Sequence, residues 1–329
     1  MKKLNVFLTR PIPDEGIKML KRERDIRLEI KKDLPMPRKE LLKAVKGRDV
    51  VWTILTDRVD AEFFDAAGEN LKLVVNYAIG FDNIDLEEAR KRGLIVANSP
   101  AAEIAESVAE HAIAMMFALS RRLVESDAFT RAGKYHGWEP NLLLGTDIIG
   151  KTLGIIGAGQ IGGMIARRLR DGFGLKILYN DVKRNPKFER EHKAQYRSKL
   201  QLLKESDFVT LHVPLLDSTR HLISTKELKA MKKTAFLINT ARGPVVDELA
   251  LTKALEKNEI AGAGLDVFEC EPLIDCNPND THALRRMKNI LLTPHTASAS
   301  IEARQAMSRE SAKNILAFLK GKKIPHRIV

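Results

Sequence analysis

The chain has 329 residues, 44% of them hydrophobic and 30% charged, which is enough for two domains of ordinary size, each with its own core. No apolar run reaches the 18 or so residues of a membrane helix, and the apolar stretch of MKKLNVFLTR stops at Arg10-Pro11, too short for a signal peptide. Two cysteines, Cys270 and Cys276, are too few for a disulfide framework and fit a reducing cytoplasm; their close spacing would permit a metal or redox pair, though no metal is expected. The formal net charge is +12, but 55 basic residues are mixed with 43 acidic ones, as in KRERDIRLEIKKD, and no basic block is interleaved with aromatics. That balance describes a solvated surface that attracts anionic substrates, with no nucleic-acid partner expected.

Apolar runs of strand length occur at 4–8, 26–30, 50–55, 73–76 and 94–97. Charged amphipathic segments separate them at 17–24, 38–46 and 61–67. This alternation predicts a parallel sheet covered by helices. No glycine fingerprint lies in this part. After Pro100, an Ala- and Met-rich stretch predicts a helix over 104–123, long enough to pass from one domain to another. His111 falls within it and reads as a packed helix residue. Gly133, Gly137, Pro140, Gly145 and Gly150 then predict an irregular excursion over 130–150 that carries Trp138.

The stretch 151–181, KTLGIIGAGQIGGMIARRLRDGFGLKILYND, organises the remainder. A short apolar run leads into Gly157, Gly159 and Gly162 at G-x-G-x-x-G spacing, with Gln160 and Ile161 opening a helix. A second apolar run ends on Asp181, about 20 residues beyond, which makes a dinucleotide-binding fingerprint. Gly157 allows the tight turn, Gly159 lets a pyrophosphate approach the backbone, and Gly162 lets the helix pack on the sheet. The helix N-terminus offers unpaired N–H groups to the phosphates. Asp181 can accept hydrogen bonds from a ribose and repels a 2′-phosphate, so NAD is favoured over NADP. Lys183 and Arg184 keep that preference moderate.

Strand-like runs resume at 208–213, 235–239, 263–267 and 290–293, with helices between them at 199–205, 226–231 and 248–257. A second long helix, 301–319, precedes the tail GKKIPHRIV. The two long helices bracket the nucleotide fold, so the chain is expected to leave one domain, build another and return. The expected division is 1–100 plus 297–329 for one domain and 101–296 for an NAD-binding domain. The fold class is α/β, with two Rossmann-like doubly wound parallel sheets and a cleft between them.

Strand ends of the second half carry Gly157, Asp181, Pro214, Arg242, Asp266 and His295, and ligands of such sheets lie beyond the carboxyl ends of the strands. Arg242 can hold a carboxylate in a bidentate fork and polarise the neighbouring carbonyl. His295 can pass a proton to or from the carbonyl oxygen, and Glu271 can fix its tautomer. Alone, such an arginine is a surface charge and such a histidine is structural. Together, at neighbouring strand ends beside a dinucleotide fold, they read as catalytic.

GAGQIGG, Asp181, INTARGPVVDE, GAGLDVFECEP and LLTPHTAS, with NYAIGFDNID and ESVAEHA, resemble the D-isomer-specific 2-hydroxyacid dehydrogenase family over essentially the whole chain. The resemblance implies that the domain of residues 1–100 plus 297–329 is the substrate domain, and that Arg242, Glu271 and His295 are the catalytic residues. It implies that Asp266 faces the nicotinamide amide, and that Val108, His212, Val213, Pro214, Thr240 and Ala241 line the cofactor. Tyr77, Ala78, Ile79 and Gly80 would form a backbone cradle for the substrate carboxylate. VNYAIGFDNID, GWEP and GKKIP look most like glyoxylate/hydroxypyruvate reductases, which implies a homodimer with Trp138 reaching toward the partner's site. Two other readings stay open: a phosphoglycerate dehydrogenase without a regulatory domain, suggested by ANSPAAEIAESVAEHA, and an NAD-responsive corepressor-like interaction protein.

Overall fold

The computed structural model describes residues 3–31, 36–269, 271 and 282–329. Cys270 and Cys276 lie outside the described residues, as does most of the long segment that follows Glu271. The chain divides into two compact units, residues 1–104 with 299–329, and residues 105–298. The first division falls inside the helix Ala102–Ser120.

In the first unit, strands β1 (Leu4–Leu8), β2 (Ile26–Ile30), β3 (Val50–Ile54), β4 (Leu73–Tyr77) and β5 (Ile95–Ala97) form one sheet in the order β2-β1-β3-β4-β5. All its pairings are parallel. Phe7, Val51, Val74 and Val96 pack with Phe63 and Phe64 of the helix Ala61–Ala67 into a buried core. The helix Ile301–Leu319 returns to this unit, packing on β4 and on the helix Glu15–Lys21. Its approach is close enough to demand a glycine. The Gly16 N–H donates to Ser308 Oγ at 3.0 Å, and a Cβ at Gly16 would lie 2.0 Å from the Ser308 carbonyl oxygen.

The second unit holds β6 (Thr152–Ile156), β7 (Lys176–Asn180), β8 (Gln195–Tyr196), β9 (Phe208–Leu211), β10 (Phe236–Asn239), β11 (Gly262–Leu265) and β12 (Ile290–Leu292). They form one parallel sheet in the order β12-β11-β10-β9-β6-β7-β8. Strand order reverses at β6, which pairs with both β7 and β9, so the switch point of a doubly wound sheet lies at the end of β6. Two buried clusters fill the unit, one around Leu203, Val209 and Leu251 and the other around Ile155, Ile165 and Tyr179.

Three local departures from the sequence expectation have physical causes. The helix expected over 104–123 ends at Ser120, and a second helix runs from Leu123 to Arg131. Arg122 between them adopts left-handed backbone, φ 52°, steadied by its guanidinium bonding the Glu125 carboxylate at 2.5 Å. Strand β8 is two exposed residues and has no apolar pattern to reveal it. The helix Pro186–His192 depends on the Asn185 side chain, whose Oδ1 accepts the Phe188 N–H at 3.1 Å.

Candidate active site

The glycine turn opens at the end of β6. Gly157 has φ 99°, and a Cβ there would lie 2.5 Å from the His212 carbonyl oxygen, so both conformation and space require glycine. A Cβ at Gly162 would lie 2.6 Å from the Gly157 carbonyl oxygen. Gly159, which caps the helix Gln160–Phe173, faces open space, and no side chain or first-turn acid occupies the helix start at Gln160 and Ile161. Asp181 leans over the turn: its carboxylate accepts the Ala158 N–H at 2.8 Å and the Val182 N–H at 2.7 Å.

Two buried polar atoms nearby, Thr240 Oγ1 and His212 Nδ1, lack a partner among the described residues. An orphaned buried hydroxyl costs stability unless a ligand completes it. The other His212 nitrogen bonds Thr210 Oγ1 at 2.8 Å, and burial pushes the imidazole down to about 3, so the ring is neutral. Val213, half-buried, and Pro214, exposed, follow it past the end of β9. Val108 is buried on the helix Ala102–Ser120. A cradle that excludes Cβ atoms, an open helix start and an unfilled hydroxyl together fit a dinucleotide.

The next three strands deliver the polar groups. At the end of β10, the Asn239 side chain clamps the turn: Oδ1 accepts the Ala241 N–H at 3.0 Å, and Nδ2 donates to the Arg242 carbonyl at 2.9 Å. The Arg242 guanidinium donates to the Ala241 carbonyl at 2.7 Å. Gly243 is pressed against the exit of β11, where a Cβ would meet the Phe268 carbonyl at 1.8 Å, so the Arg242 loop lies beside the segment leading to Glu271. That segment is held from below by the buried Glu248, whose Oε1 accepts the Glu269 N–H at 2.5 Å.

Glu271 and His295 meet. The Glu271 carboxylate accepts from His295 Nδ1 at 2.7 Å, with both side chains about a quarter exposed (27% and 28%). The bond selects the tautomer and leaves Nε2 as the ring nitrogen available to a substrate. His295 itself has left-handed backbone, φ 54°. The fully buried Asp266 carboxylate grips both sides of it, accepting from Thr293 Oγ1 at 2.5 Å, the Thr296 N–H at 2.8 Å and the Ala297 N–H at 2.8 Å. The His295 N–H donates to the Asp266 carbonyl at 2.8 Å. From the helix, Ser107 Oγ donates to the Ala297 carbonyl at 2.9 Å and His111 Nε2 pairs with Thr293 Oγ1 at 3.0 Å. Sequence reading assigned His111 to packing and overlooked Ser107 and Asn239; polar residues at strand exits and one helical turn apart were the available signal.

A cavity of about 360 Å³ in the second unit lies elsewhere, at the amino ends of the strands, lined by Lys151, Asp207 and Thr234 among others. It is distinct from the polar groups at the carboxyl ends.

In the first unit, Tyr77 ends β4 and its hydroxyl donates to the Arg304 carbonyl at 2.8 Å, with burial pushing the phenol up to about 12. Ala78 is buried and Ile79 is 39% exposed, with Gly80 following. Trp138 is 82% exposed on the excursion after the helix Leu123–Arg131.

Residues 113–297, more than half of the chain, match the D-isomer specific 2-hydroxyacid dehydrogenase family, NAD binding domain. The chain belongs to this family. The glyoxylate reductase of Thermococcus litoralis is 47% identical over 99% of this chain and 97% of its own length. That of Korarchaeum cryptofilum is 46% identical over 99% of this chain and 96% of its own. Among solved structures, the TT0316 protein of Thermus thermophilus superposes with a TM-score of 0.90 at 39% identity, covering 99% of this chain and 100% of that one. The protein is thus an oxidoreductase of the 2-hydroxyacid dehydrogenase family, and its second unit is an NAD-binding domain. Among its described residues, no helix is long and apolar enough to cross a membrane.

The neutral, buried His212 has a consequence for stability. Its folded pKa, about 3, lies below the ordinary 6.5, so the unfolded chain binds an extra proton between those values. This contribution to stability is complete above about pH 6.5 and is lost as pH falls toward 3. Denaturant midpoints measured from pH 7 to pH 4 should therefore fall less steeply in His212→Gln than in the wild type.

Proposed function

We propose that the protein reduces a small 2-keto acid, glyoxylate or hydroxypyruvate foremost, to the D-2-hydroxy acid with NADH. The reading rests on the 2.7 Å Glu271–His295 bond at the exits of β11 and β12, one strand from Arg242, in an NAD-binding domain. The name glyoxylate reductase carried by the relatives supports the choice of substrate.

In this reading Gly157, Gly159, Gln160, Ile161 and Gly162 hold the pyrophosphate. Asp181 takes the adenosine ribose, with its carboxylate already oriented by two backbone N–H groups. Thr240 and Ala241, with His212, Val213, Pro214 and Val108, line the remainder of the cofactor. The reduced nicotinamide, when bound, supplies the hydride. Arg242 neutralises a substrate carboxylate and polarises the neighbouring carbonyl; within the first unit, the backbone of Ala78, Ile79 and Gly80 is read by itself as a carboxylate hold. His295 Nε2 donates the proton that the carbonyl oxygen acquires. Glu271, bonded to Nδ1 of the same ring, stabilises the imidazolium before that transfer. Asp266 acts here chiefly through the His295 loop, which its carboxylate holds by three short hydrogen bonds.

A homodimer belongs to the same reading. Leu123, Val124, Tyr135, Trp138, Leu144 and Ile149 are all more than half exposed within one stretch of chain. Apolar side chains gathered in this way suit a second copy of the chain. A cytoplasmic location belongs to the same reading and is supported by the scarcity of cysteine.

Three measurements test these points. His295→Asn should lower kcat for glyoxylate or hydroxypyruvate by about 10²–10⁴-fold, while fluorescence titration finds NADH binding intact; wild-type turnover in the variant would sink the proton-transfer role. Asp181→Ser should raise the NADPH-to-NADH ratio of kcat/KM about ten-fold, the scale of one charge-assisted hydrogen bond. Sedimentation velocity should show a species of twice the 36.9 kDa chain mass, and a monomer at micromolar concentration would refute the dimer.

A further inference from the structure

Beyond β4 the chain turns through Ala78, Ile79 and Gly80, and each of these three carbonyls is taken by a different donor of the first unit. The Ala78 carbonyl accepts the Ser99 N–H at 2.9 Å. The Ile79 carbonyl accepts Asn98 Nδ2 at 2.7 Å. The Gly80 carbonyl accepts Asn76 Nδ2 at 2.9 Å. A trans peptide is planar, so a carbonyl and the following N–H point in opposite directions on one rigid plate. Holding the three carbonyls therefore aims the N–H groups of Ile79, Gly80 and Phe81 away from the clamps. Among the described residues, no acceptor takes any of those three N–H groups. Successive unpaired N–H groups make a concavity suited to an anion.

We propose that Asn98, with Asn76 and Ser99, is a positioning residue for the substrate carboxylate, acting by fixing the facing of these peptide planes. The inference rests on the reading of Ala78–Gly80 as a carboxylate-holding backbone. The clamps are themselves anchored. The Asn98 N–H donates to the His326 carbonyl at 3.1 Å, and its carbonyl accepts Asn314 Nδ2 at 2.7 Å. Asn314 Oδ1 accepts the His326 N–H at 3.1 Å, so the C-terminal helix and tail hold Asn98 in place. Asn76 is fully buried, with its Oδ1 accepting from Thr53 Oγ1 at 3.0 Å and its Nδ2 also reaching Asn83 Oδ1 at 3.0 Å. Asn83 Nδ2 in turn donates to the Asp57 carbonyl at 2.8 Å. Replacing Asn76 would unsettle this whole network. The Asn98 side-chain amide is half-exposed and has the Ile79 carbonyl as its one acceptor among the described residues, so it isolates the effect.

Without that clamp the plate joining Ile79 and Gly80 is free to turn, and one of three donors is lost from its fixed direction. In Asn98→Ala, KM for the 2-keto acid should rise about ten-fold, the scale of one ordering hydrogen bond, with kcat, NADH affinity and Tm close to wild type. Asn98→Asp keeps the shape, removes the donor and adds a negative charge, and should raise KM further. The inhibition constant of oxamate, an unreactive carboxylate analogue, should rise in parallel with KM. KM and oxamate inhibition unchanged in whichever variant keeps the wild-type Tm would overturn the inference, as would a rise in KM matched by equally weakened NADH binding. A wild-type enzyme that reduces no 2-keto acid would instead defeat the functional reading. Calorimetric titration of oxamate into the NADH-saturated wild type and the two variants would then still decide the clamp, with equal affinities overturning it.

Discussion

His295 is held in a backbone conformation that residues with a Cβ rarely adopt, and such strain costs on the order of 1–3 kcal/mol. It persists because the buried Asp266 accepts from Thr293 on one side of His295 and from Thr296 and Ala297 on the other. A carboxyl group enclosed in this way has lost its water, and its oxygens must find such donors within the protein. Ser107 and His111, one helical turn apart, close the arrangement from the helix Ala102–Ser120. The direction of the imidazole, and hence its meeting with Glu271, follows from a group that itself need not touch the reacting atoms.

Both units solve the same problem at the carboxyl ends of their strands. A parallel sheet leaves a turn of irregular backbone at each exit, and polar groups there must find partners or ligands. Short side chains supply them: Asn239 folds back on Ala241 and Arg242 in the second unit. Asn76, Asn83 and Asp57 form a connected set in the first, where Asp57 Oδ2 accepts the Ile54 N–H at 2.9 Å and the Thr9 hydroxyl at 2.5 Å. Burial raises the Asp57 carboxyl pKa, a tendency these two donors oppose. The result is a set of braced loops in which a few polar groups, such as Thr240 Oγ1, have no partner among the described residues.

Much of this was legible in the sequence because buried parallel strands are continuous apolar runs and the glycine spacing has one physical use. Every strand of the first sheet and all but β8 in the second coincide with an apolar run, and Gly157 and Gly162 meet the backbone contacts that forbid a side chain. The break at Arg122 was not legible, since a left-handed arginine has no local signature and depends on its bond to Glu125. Nor were the supporting roles of Asn239, Ser107 and Asn98 legible. Each is a common polar residue whose acceptor is decided by tertiary contact, across 190 positions of chain in the case of Ser107. Sequence shows which residues can perform chemistry more readily than which residues hold them.

The return of the last helix to the first sheet has a consequence for how the chain is made. Gly16, Tyr77, Ser99 and Asn98 all find partners on residues 304–314, and Val96 pairs with the terminal residues Ile328 and Val329. A nascent chain emerging from the ribosome therefore presents an amino-terminal sheet that lacks one of its covering helices while the whole central unit is synthesised. The central unit can complete its own core first, reversing the usual order in which the amino-terminal part of a polypeptide matures earliest. The amino-terminal sheet gains the helix Ile301–Leu319 only after the central unit has been made, so a ribosome that halts before residue 301 leaves the surface under that helix exposed to chaperones and proteases.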